Sequence, residues 1–387
     1  MKYPTDIVIF GAGIAGLWAF NRLKSMGYDV ILLEVAAIGG GQTIASQGII
    51  HSGLKFSIAG KVNNLAKSIS KMPERWRACL NGAGELNLST AKINATSQQM
   101  LIPKGFMGDL TNIITRKTLG DSVRNMPKNE WSEDIKNSGF NGSIVNMGEL
   151  VLDVPSLIRS LADPYKNCIR KITQEQASEP FKFLKDNNIT AKRIIFTGAA
   201  SNHKIAAKNN HDSGLKTQAR PLLQGMMRNA PFPLYAHLIG KTDKPVASIT
   251  THKMSDGTLI WYLGGGVAER KADSDPTQVY SATQKAFKLY MPAIDFSDNK
   301  WAVLSIFRIE GKSNTDSWMP DTPTIHRAGD ALYCWPTKLT FAPMLSDMIL
   351  EDLKKHGITP SNKISNFSFL PDVEYAKTPW DTAKWTK

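Results

Sequence analysis

Residues 6–34 constrain what this chain can fold into more than any other stretch. A short apolar strand over residues 6–10, rich in β-branched side chains, leads directly into a Gly-x-Gly-x-x-Gly turn. Residues 17–26 then carry apolar side chains at helical spacing, and Gly27 suits the end of a helix. A second apolar strand over residues 30–33 follows. The order of these signals predicts a βαβ unit.

The glycines of this turn, Gly11, Gly13 and Gly16, each meet a different steric demand. The first lets the strand turn sharply, the second lets backbone amides approach a pyrophosphate, and the third lets helix and strand pack closely. Glu34 lies 18 positions after Gly16, close to the ~20 expected for a carboxylate that accepts ribose hydroxyls. The helix N-terminus adds N–H groups and partial positive charge for phosphates. A dinucleotide site is therefore predicted, and a βαβ unit without a ligand is the alternative.

A second glycine-rich segment follows Glu34. Residues 39–43 form a Gly-Gly-Gly-Gln-Thr turn, and residues 44–56 contain many small side chains together with His51. The backbone of such a segment can run close against a flat or bulky group. In NAD-binding folds the second strand leads to another βα unit instead, so this segment favours FAD.

Residues 46–56 resemble a motif of known flavoproteins. Their sequence, Ser-Gln-Gly-Ile-Ile-His-Ser-Gly-Leu-Lys-Phe, is similar to the Ser-x-x-x-Ile-His-x-Gly-Leu-Arg-Tyr segment of FAD-dependent glycerol-3-phosphate dehydrogenases. It also resembles the Ser-Gly-Val-Ile-His-x-Gly-Ile segment of L-2-hydroxyglutarate oxidases. Both belong to the D-amino-acid-oxidase-like flavoprotein superfamily, and the resemblance implies an FAD cofactor.

Later segments resemble other elements of the same superfamily. They are Arg193–Ser201, Leu263–Glu269, Trp301–Arg308, Pro320–Ile325 and Ala331–Thr340. The chain departs from the superfamily pattern at Phe196, where alanine is usual, and at Ile309, where proline is usual. Pro336 and Thr337 replace glycines of the glycerol-3-phosphate dehydrogenases. These departures argue against identity with that enzyme.

The resemblance implies an α/β fold with a discontinuous, Rossmann-like FAD-binding domain of the glutathione-reductase type. A second, α+β domain, built on an antiparallel sheet, would bind the substrate. The expected FAD-binding segments are 1–75, 150–215 and 300–370, the substrate segments are 76–149 and 216–299, and the C-terminal tail is 371–387. Helices are predicted over 61–76, 156–161, 277–290 and 341–353, and strands over 99–102, 246–252 and 259–263.

The matched motifs also imply which residues hold the cofactor. Around the first turn they are Gly11, Gly13, Ile14, Ala15, Gly16 and Glu34. Farther along the chain they are Gln42, Thr43, Ser46, Gln47, Gly48, Ile50, Thr197, Gly198, Ala199, Lys338, Leu339 and Thr340. Together these residues would grip an FAD along its length.

Flavin oxidation removes a hydride from a carbon that bears OH or NH, while the protein supplies position and electrostatics. His51 is the candidate base for a hydroxyl proton, because an imidazole titrates near ~6.5. The alternatives for His51 are a hydrogen bond within the sheet and, as in some relatives, a covalent bond to the flavin. Lys338 is the candidate positive group near the flavin edge, aided by the following helix, and a surface lysine is the alternative.

Arg308 is the candidate clamp for a substrate anion. It follows an apolar strand, and a guanidinium binds a carboxylate or phosphate bidentately. An ion pair with Glu310 is the alternative, and Arg220 is a second candidate clamp with weaker placement. No metal site is expected. The histidines without motif context are interpreted as structural or surface residues: His237, His252 and His326.

Composition bears on location. The chain has 387 residues, and no apolar run approaches the ~20 residues that cross a bilayer. The start of the sequence lacks a signal-peptide layout, so a cytoplasmic protein is expected, with a peripheral position on a membrane as an alternative. Cys79, Cys168 and Cys334 are widely separated and lack metal-ligand spacing, so neither disulfides nor zinc are expected.

The chain carries 47 basic and 34 acidic side chains, a formal net charge of +13. A solubilising surface, an anionic substrate, an anionic lipid surface and nucleic acid are all compatible with this charge. Membrane or partner contact through Trp380 and Trp385 of the tail is one interpretation of that segment. Packing of the tail over the body of the protein is the other.

The leading hypothesis is an FAD-dependent oxidoreductase for a small anionic substrate. The substrate would be a 2-hydroxy acid, an amino acid or amine, or a polyol phosphate, and the electrons would pass to oxygen or a quinone. One alternative is an RNA-modifying flavoprotein that binds nucleic acid through its basic surface. Another is a quinone-linked dehydrogenase at a membrane surface.

Overall fold

The computed structural model describes residues 2–52, 69–105, 123–241, 244–270, 274–311, 322–336 and 338–386. In these ranges the strands are β1 (Tyr3–Phe10), β2 (Val30–Glu34), β3 (Ile49–Ile50), β4 (Ile93–Ala95), β5 (Gln99–Pro103), β6 (Arg124–Met126), β7 (Gly142–Asn146), β8 (Leu150–Leu152), β9 (Ile169–Lys171), β10 (Ile189–Phe196), β11 (Thr217–Arg228), β12 (Ala236–Leu238), β13 (Ala247–Lys253), β14 (Leu259–Gly264), β15 (Lys300–Gly311), β16 (Thr324–Ala328) and β17 (Ala331–Trp335). The α-helices are α1 (Ile14–Ser25), α2 (Met72–Leu80), α3 (Glu133–Asn137), α4 (Val154–Ala162), α5 (Gln174–Ser178), α6 (Pro180–Asp186), α7 (Ala200–Lys208), α8 (Pro276–Tyr290) and α9 (Ala342–Lys355).

Some sequence expectations fall outside the described residues. They are the first part of the helix predicted over 61–76, the flavoprotein motif from residue 53 onward, Pro320 with Asp321, and Thr337. The other predicted helices are confirmed as α4, α8 and α9, and the predicted strands are confirmed as β5, β13 and β14.

The first sheet is parallel, with one antiparallel edge strand. Its order is β16-β17-β10-β1-β2-β9, and β16 runs antiparallel to β17. β1 is buried on both faces, because Ile7 and Ile9 join one hydrophobic cluster with α1 and α9, whereas Val8 and Phe10 join another. Burial on both faces is the reason that residues 6–10 form a continuous apolar run instead of alternating with polar residues.

The second sheet has the order β15-β11-β14-β13-β12-β5-β7-β6. It is antiparallel except between β12 and β5, which are parallel, so the expected antiparallel sheet is confirmed with one exception. The hairpin of β13 and β14 turns at Gly257, which has a φ of +87° that glycine adopts without strain. Helix α8 covers one face through Phe287 and Tyr290, which join the core of this sheet.

A third, three-stranded sheet has the order β3-β8-β4. The antiparallel pair of β3 and β8 places Ile49 opposite Val151 and Ile50 opposite Leu150. Consequently His51, which follows β3, lies next to Glu149, which precedes β8. This pairing of distant segments builds part of the site described below.

Two of the expected domain boundaries disagree with the sheets. β15 was expected in the FAD-binding segment that starts at residue 300, but it pairs along its whole length with β11 of the second sheet. Helix α2 spans the expected boundary after residue 75, and its Trp76 packs against Trp18 in the core of the first sheet, with 4.6 Å between ring centroids. The resemblance identifies the positions of the motifs. It does not show which strands pair with one another, and strand pairing defines the domains. The rest of the expected division stays a prediction.

Candidate active site

A cavity of about 1040 Å³ is lined by residues of the first and second sheets. Its size suits an organic cofactor with a small substrate. Most residues that the sequence assigns to the site line this cavity: Gly11, Gly13, Ile14, Ala15, Glu34, Gln42, Thr43, Ser46, Gln47, Gly48, His51, Thr197, Gly198, Ala199, Arg220, Arg308, Lys338, Leu339 and Thr340. Their individual roles stay predictions.

Ile50 and Gly16 were expected among the cofactor-binding residues but are not on the cavity wall. The side chain of Ile50 is fully buried in the core of the first sheet, because inward and outward positions alternate along β3 and His51 takes the cavity side. Gly16 supports the turn from behind. A Cβ at Gly16 would lie 2.0 Å from the carbonyl oxygen of Gly11 and 2.7 Å from Oγ1 of Thr197.

The first glycine turn is held closed by the end of β10. The hydroxyl of Thr197 donates to the carbonyl oxygens of Phe10 and Gly11 at 3.0 and 2.8 Å. Gly11 has a φ of +106°, a conformation that residues with a side chain avoid. Gly13 has no side chain with which to cap α1, and the N–H of Ile14 donates to Oγ1 of Thr43 at 2.9 Å. An anion at this helix N-terminus would therefore be bound by the next N–H groups of the first turn. This arrangement explains why the Thr-Gly-Ala segment accompanies a distant glycine motif.

Glu34 ends β2 at the cavity wall, as expected from its position in the sequence. One carboxylate oxygen accepts the N–H of Ala12 at 2.6 Å, and the other accepts those of Val35 and Ala36 at 2.9 Å each. These three backbone donors fix the orientation of the carboxylate relative to the glycine turn. The geometry suits a carboxylate that accepts hydroxyl groups from a ribose.

His51 and Glu149 form a pair at the cavity wall, in which His51 lines the cavity and Glu149 is fully buried. Nδ1 of His51 lies 3.2 Å from Oε2 of Glu149, while Oε1 accepts hydrogen bonds from the backbone N–H and the hydroxyl of Ser52 at 2.7 and 2.9 Å. His237 also approaches this carboxylate, with 3.9 Å between Nε2 and Oε2. His237 thus lies beside Glu149 but does not line the cavity, and its interpretation as a structural or surface residue stays a prediction. The parallel pairing of β12 with β5 brings His237 to this position.

Arg220, Arg308 and Glu310 form a second charged group on neighbouring strands. The register pairs Arg220 with Arg308 across β11 and β15. Arg220 holds Glu310 through Nε and a terminal nitrogen, at 3.1 and 2.6 Å, whereas Arg308 stays 3.7 Å from the same carboxylate. Burial and the neighbouring charge of Arg220 lower the pKa of Arg308. Arg308 thus lines the cavity as a cation that is only partly compensated by Glu310.

Lys338 lies at the start of the 3-10 turn Leu339–Phe341, directly before α9. It lines the cavity, and Thr340 in the same turn accepts the backbone N–H of His51 at 3.1 Å. Lys338, the candidate positive group, and His51, the candidate base, therefore lie close to each other on the cavity wall.

His252 and Trp380 belong to the structural framework. Trp380 is 5% exposed and stacks on His252 with 4.3 Å between ring centroids. Burial lowers the pKa of His252 to about 3, so this imidazole is neutral. The packing of Trp380 favours the interpretation that the tail packs over the body of the protein. None of the described helices is both long enough and apolar enough to traverse a bilayer.

Residues 6–308 match the model of the DAO family, described as FAD dependent oxidoreductase. The chain belongs to this family. It is 34% identical to a probable FAD-dependent oxidoreductase of Pseudomonas aeruginosa, over 98% of both chains. The crystal structure of an FAD-dependent oxidoreductase from the same organism has a TM-score of 0.80, with 30% identity over 98% of each chain. FAD dependence, oxidoreductase activity and the fold class expected from sequence are thereby confirmed.

More distant solved structures share the fold of this FAD-dependent oxidoreductase. An L-amino acid deaminase from Proteus vulgaris has a TM-score of 0.63 at 17% identity and covers 92% of this chain and 91% of its own. An L-alpha-glycerophosphate oxidase from Mycoplasma pneumoniae, solved with FAD bound, has a TM-score of 0.62 at 14% identity and covers 97% of this chain and 100% of its own.

The residues present fit FAD. The closed glycine turn, the helix N-terminus at Gly13 and the oriented carboxylate of Glu34 provide the steric room, the anion site and the hydroxyl acceptor that a dinucleotide needs. Gln47 then bridges to the second sheet, donating to the carbonyl oxygens of Ser248 and Tyr262 at 2.9 Å each. The cavity wall is therefore continuous from the dinucleotide cradle to the side of His51 and Arg308.

Proposed function

We propose that this FAD-dependent oxidoreductase oxidises a small anionic substrate at a carbon that carries OH or NH. The observation that supports the proposal most is the incompletely compensated positive charge of Arg308 at the cavity wall. Its guanidinium lines the cavity, and burial lowers its pKa. Glu310, which lies 3.7 Å away, already accepts two hydrogen bonds from Arg220. An anionic group of the substrate would restore a full counter-charge to Arg308.

His51 would take the proton that the substrate loses from its hydroxyl group. It lines the cavity, and Glu149 contacts its Nδ1. FAD supplies the acceptor for the hydride when it is bound. Lys338 would contribute positive charge on the same wall. A neutral amine can be oxidised without a protein base, so the presence of His51 favours an alcohol, such as a 2-hydroxy acid or a polyol phosphate, over an amine.

The names of the fold neighbours are compatible with an anionic substrate. One is an L-amino acid deaminase and another is an L-alpha-glycerophosphate oxidase. An amino acid presents a carboxylate, and a glycerophosphate presents a phosphate ester. Both groups are ligands that arginine binds bidentately.

The cavity wall offers less support for a polyanion such as RNA. Three of its four lysine and arginine residues lie in salt bridges with acidic side chains: Arg220 and Arg308 with Glu310, and Lys244 with Glu269. Nucleic-acid binding generally uses several cations that are available for phosphates. A single anionic group is the better match to this wall. For the electron acceptor we propose a class of compound, which is oxygen or a quinone.

Anaerobic reduction of the bound flavin tests the proposed function. The purified yellow protein is mixed under argon with 2-hydroxy acids, amino acids, neutral amines and glycerol phosphates, and the loss of flavin absorbance is followed. We expect reduction by an anionic alcohol, with a neutral ester or amide of the same compound much less effective. Reduction by neutral amines alone, at a rate that His51→Ala leaves unchanged, would contradict the proposal.

A further inference from the structure

The third sheet and the second sheet bring His51, Glu149 and His237 together from three distant parts of the chain. Suitable donor atoms of the three side chains all lie within 4.8 Å of one another. The rings of His51 and His237 are nearly parallel, with 6.3 Å between centroids and 22° between planes. We refer to these three residues as the His–Glu–His triad.

Glu149 is the buried centre of the triad. Its side chain has no exposed surface, and both carboxylate oxygens have partners: Ser52 at Oε1 and His51 at Oε2. Burial by itself would raise the pKa of Glu149. The nearby imidazoles of His51 and His237, the first of them within hydrogen-bond distance, outweigh this effect and hold the pKa of Glu149 well below its usual range. These contacts favour the ionised form of Glu149.

His237 supports the carboxylate from the second sheet. Its Nδ1 lies 2.7 Å from Oγ of Ser248, which places Nε2 on the side of Glu149. Ser248 itself lines the cavity. A further charged neighbour is Arg77 on α2, which donates to the carbonyl oxygen of Gly148. The triad is thus fixed from β12, from the segment before β8 and from the segment after β3.

We propose that Glu149 and His237 are positioning residues that make His51 the proton acceptor of the oxidation. Glu149 accepts Nδ1–H of His51, which selects the tautomer whose Nε2 carries the lone pair, and it stabilises the imidazolium after proton transfer. This inference rests on the function proposed above.

The step balances as follows in atoms and charge. The substrate O–H bond breaks and its proton joins Nε2 of His51. The adjacent C–H bond breaks, and FAD, when bound, would accept its hydride with both electrons. A C=O bond forms in the substrate. In this step Glu149 stays ionised, held by Ser52 at Oε1, and its charge stabilises the imidazolium that forms on His51.

A divalent metal is the competing occupant of the triad, since two imidazoles and a carboxylate are common metal ligands. The distances favour a hydrogen-bonded triad. Nδ1 of His51 is at hydrogen-bond distance from Oε2, and Oε1 is already occupied by two hydrogen bonds from Ser52. A metal held by all three residues would require Nε2 of His237 to move closer than its present 3.9 Å.

The first test uses Glu149→Gln, Glu149→Asp and the control His326→Gln, all as flavin-loaded protein. The control removes an imidazole whose ring donates to a backbone carbonyl and that is not part of the cavity wall. We expect Glu149→Gln to slow anaerobic flavin reduction at least ~10-fold, within the ~10²–10⁴-fold that general base catalysis contributes. Glu149→Asp should recover part of the rate, because it keeps the charge.

The pH profile distinguishes positioning from a merely structural role. Loss of the carboxylate charge destabilises the imidazolium, so the acidic limb of the rate profile should move to lower pH in Glu149→Gln and stay in place in His326→Gln. If Glu149→Gln does not fold, His237→Gln is used instead. This variant leaves the carboxylate in place and should shift the acidic limb of the rate profile by a smaller amount. A profile and rate identical to those of the unmodified protein in these variants would overturn the proposal.

A second measurement needs no substrate. In histidine-selective ¹⁵N spectra of the flavin-loaded protein, the neutral form of His51 should carry its proton on Nδ1, and Glu149→Gln should shift this tautomer balance. Failure of every substrate to reduce the flavin would then contradict the proposed function alone. A stoichiometric divalent metal in the purified protein that disappears in Glu149→Gln, or a His51 proton on Nε2, would overturn the triad as a proton-positioning device.

Discussion

At the scale of single residues, Arg308 decides whether the cavity binds anions. Replacing it by glutamine removes a cavity-lining cation that Glu310 compensates only at 3.7 Å. We expect the affinity for an anionic substrate to fall by about 2 kcal/mol or more, roughly 30-fold. The dissociation constant from anaerobic titration of the flavin spectrum measures this.

Arg228→Gln is the matched control for Arg308→Gln. Arg228 lies on the same strand as Arg220, is paired with Asp256 at 2.9 Å, and is outside the cavity wall. Its replacement should leave substrate affinity unchanged. Equal losses of affinity in the two variants would show that the effect comes from overall charge and not from a clamp.

The third glycine of the first turn is a residue-scale requirement of a different kind. A Cβ at Gly16 would lie 2.0 Å from the carbonyl oxygen of Gly11, which is backbone and cannot rotate away. We expect Gly16→Ala to open the turn and weaken FAD binding at least about tenfold, or about 1.4 kcal/mol. The flavin content of the desalted protein and a titration with FAD measure the loss.

The comparison variant is Gly357→Ala, which lies after α9. Gly357 has a φ of +65° with open space around the position of a Cβ, so alanine there adds backbone strain without a clash. It should cost about 1–2 kcal/mol of stability and leave the flavin content intact. A yellow, fully loaded Gly16→Ala protein would contradict the steric account of the turn.

At the scale of elements, a buried aspartate joins the start of β1 to later parts of the chain. Asp6 is 2% exposed, and its carboxylate accepts the backbone N–H groups of Asp29 and Ser361 at 2.9 Å each and contacts Nζ of Lys192 at 2.7 Å. Burial opposes ionisation, but these partners outweigh it and lower the pKa of Asp6 below its ordinary value of 3.8.

The sign of the pH effect follows from this lowered pKa. The stabilisation by Asp6 is fully present above pH ~4 and is lost as the pH falls through the lowered pKa of the folded state. We expect Asp6→Asn to reduce the free energy of unfolding by about 1–3 kcal/mol near neutral pH and by less in acid. Urea unfolding at several pH values, with Asp298→Asn at an exposed position as control, measures the difference. A difference that grows in acid would contradict this assignment.

The elements also show what the sequence could and could not predict. β1, α1 and β2 were predictable because their sequence signals lie within one short stretch. These signals reflect local steric requirements and the requirements of helix ends. The partner of β15 was not predictable, because an apolar strand does not reveal its partner and the register with β11 forms across a wide separation in the chain. Strand pairing is a tertiary choice that depends on which faces can be buried together.

At the scale of the whole molecule, the C-terminal tail connects the two large sheets. Ile38 exchanges backbone hydrogen bonds with the tail at Glu374 and Ala376, at 2.8 and 2.9 Å, and the backbones of Thr386 and Trp301 are hydrogen-bonded at 2.8 Å. Trp380 packs between these two attachments against His252 and Tyr262. The tail thus acts as a brace from the start of the second glycine-rich segment to β15.

Trp380→Ala should therefore act on stability. Removing a tryptophan that is 5% exposed is expected to cost about 3–5 kcal/mol in the free energy of unfolding. Trp385→Ala, at a partly buried position, should cost less. Urea unfolding measures both, and flotation with anionic vesicles should be the same for the variants and the unmodified protein. A loss of vesicle binding without loss of stability would favour the anchor interpretation.

The sequence by itself determined the dinucleotide cradle, the choice of FAD and the main candidates His51, Arg308 and Lys338. These signals are local, because glycine spacing, a strand end or a short motif records a constraint on neighbouring residues. Only the tertiary structure decided the partners of those candidates. Glu149 lies 98 positions from His51 and carries no motif, and it becomes part of the site solely because β3 pairs with β8. The physical reason is that buried charge is compensated by groups close in space, whatever their distance along the chain.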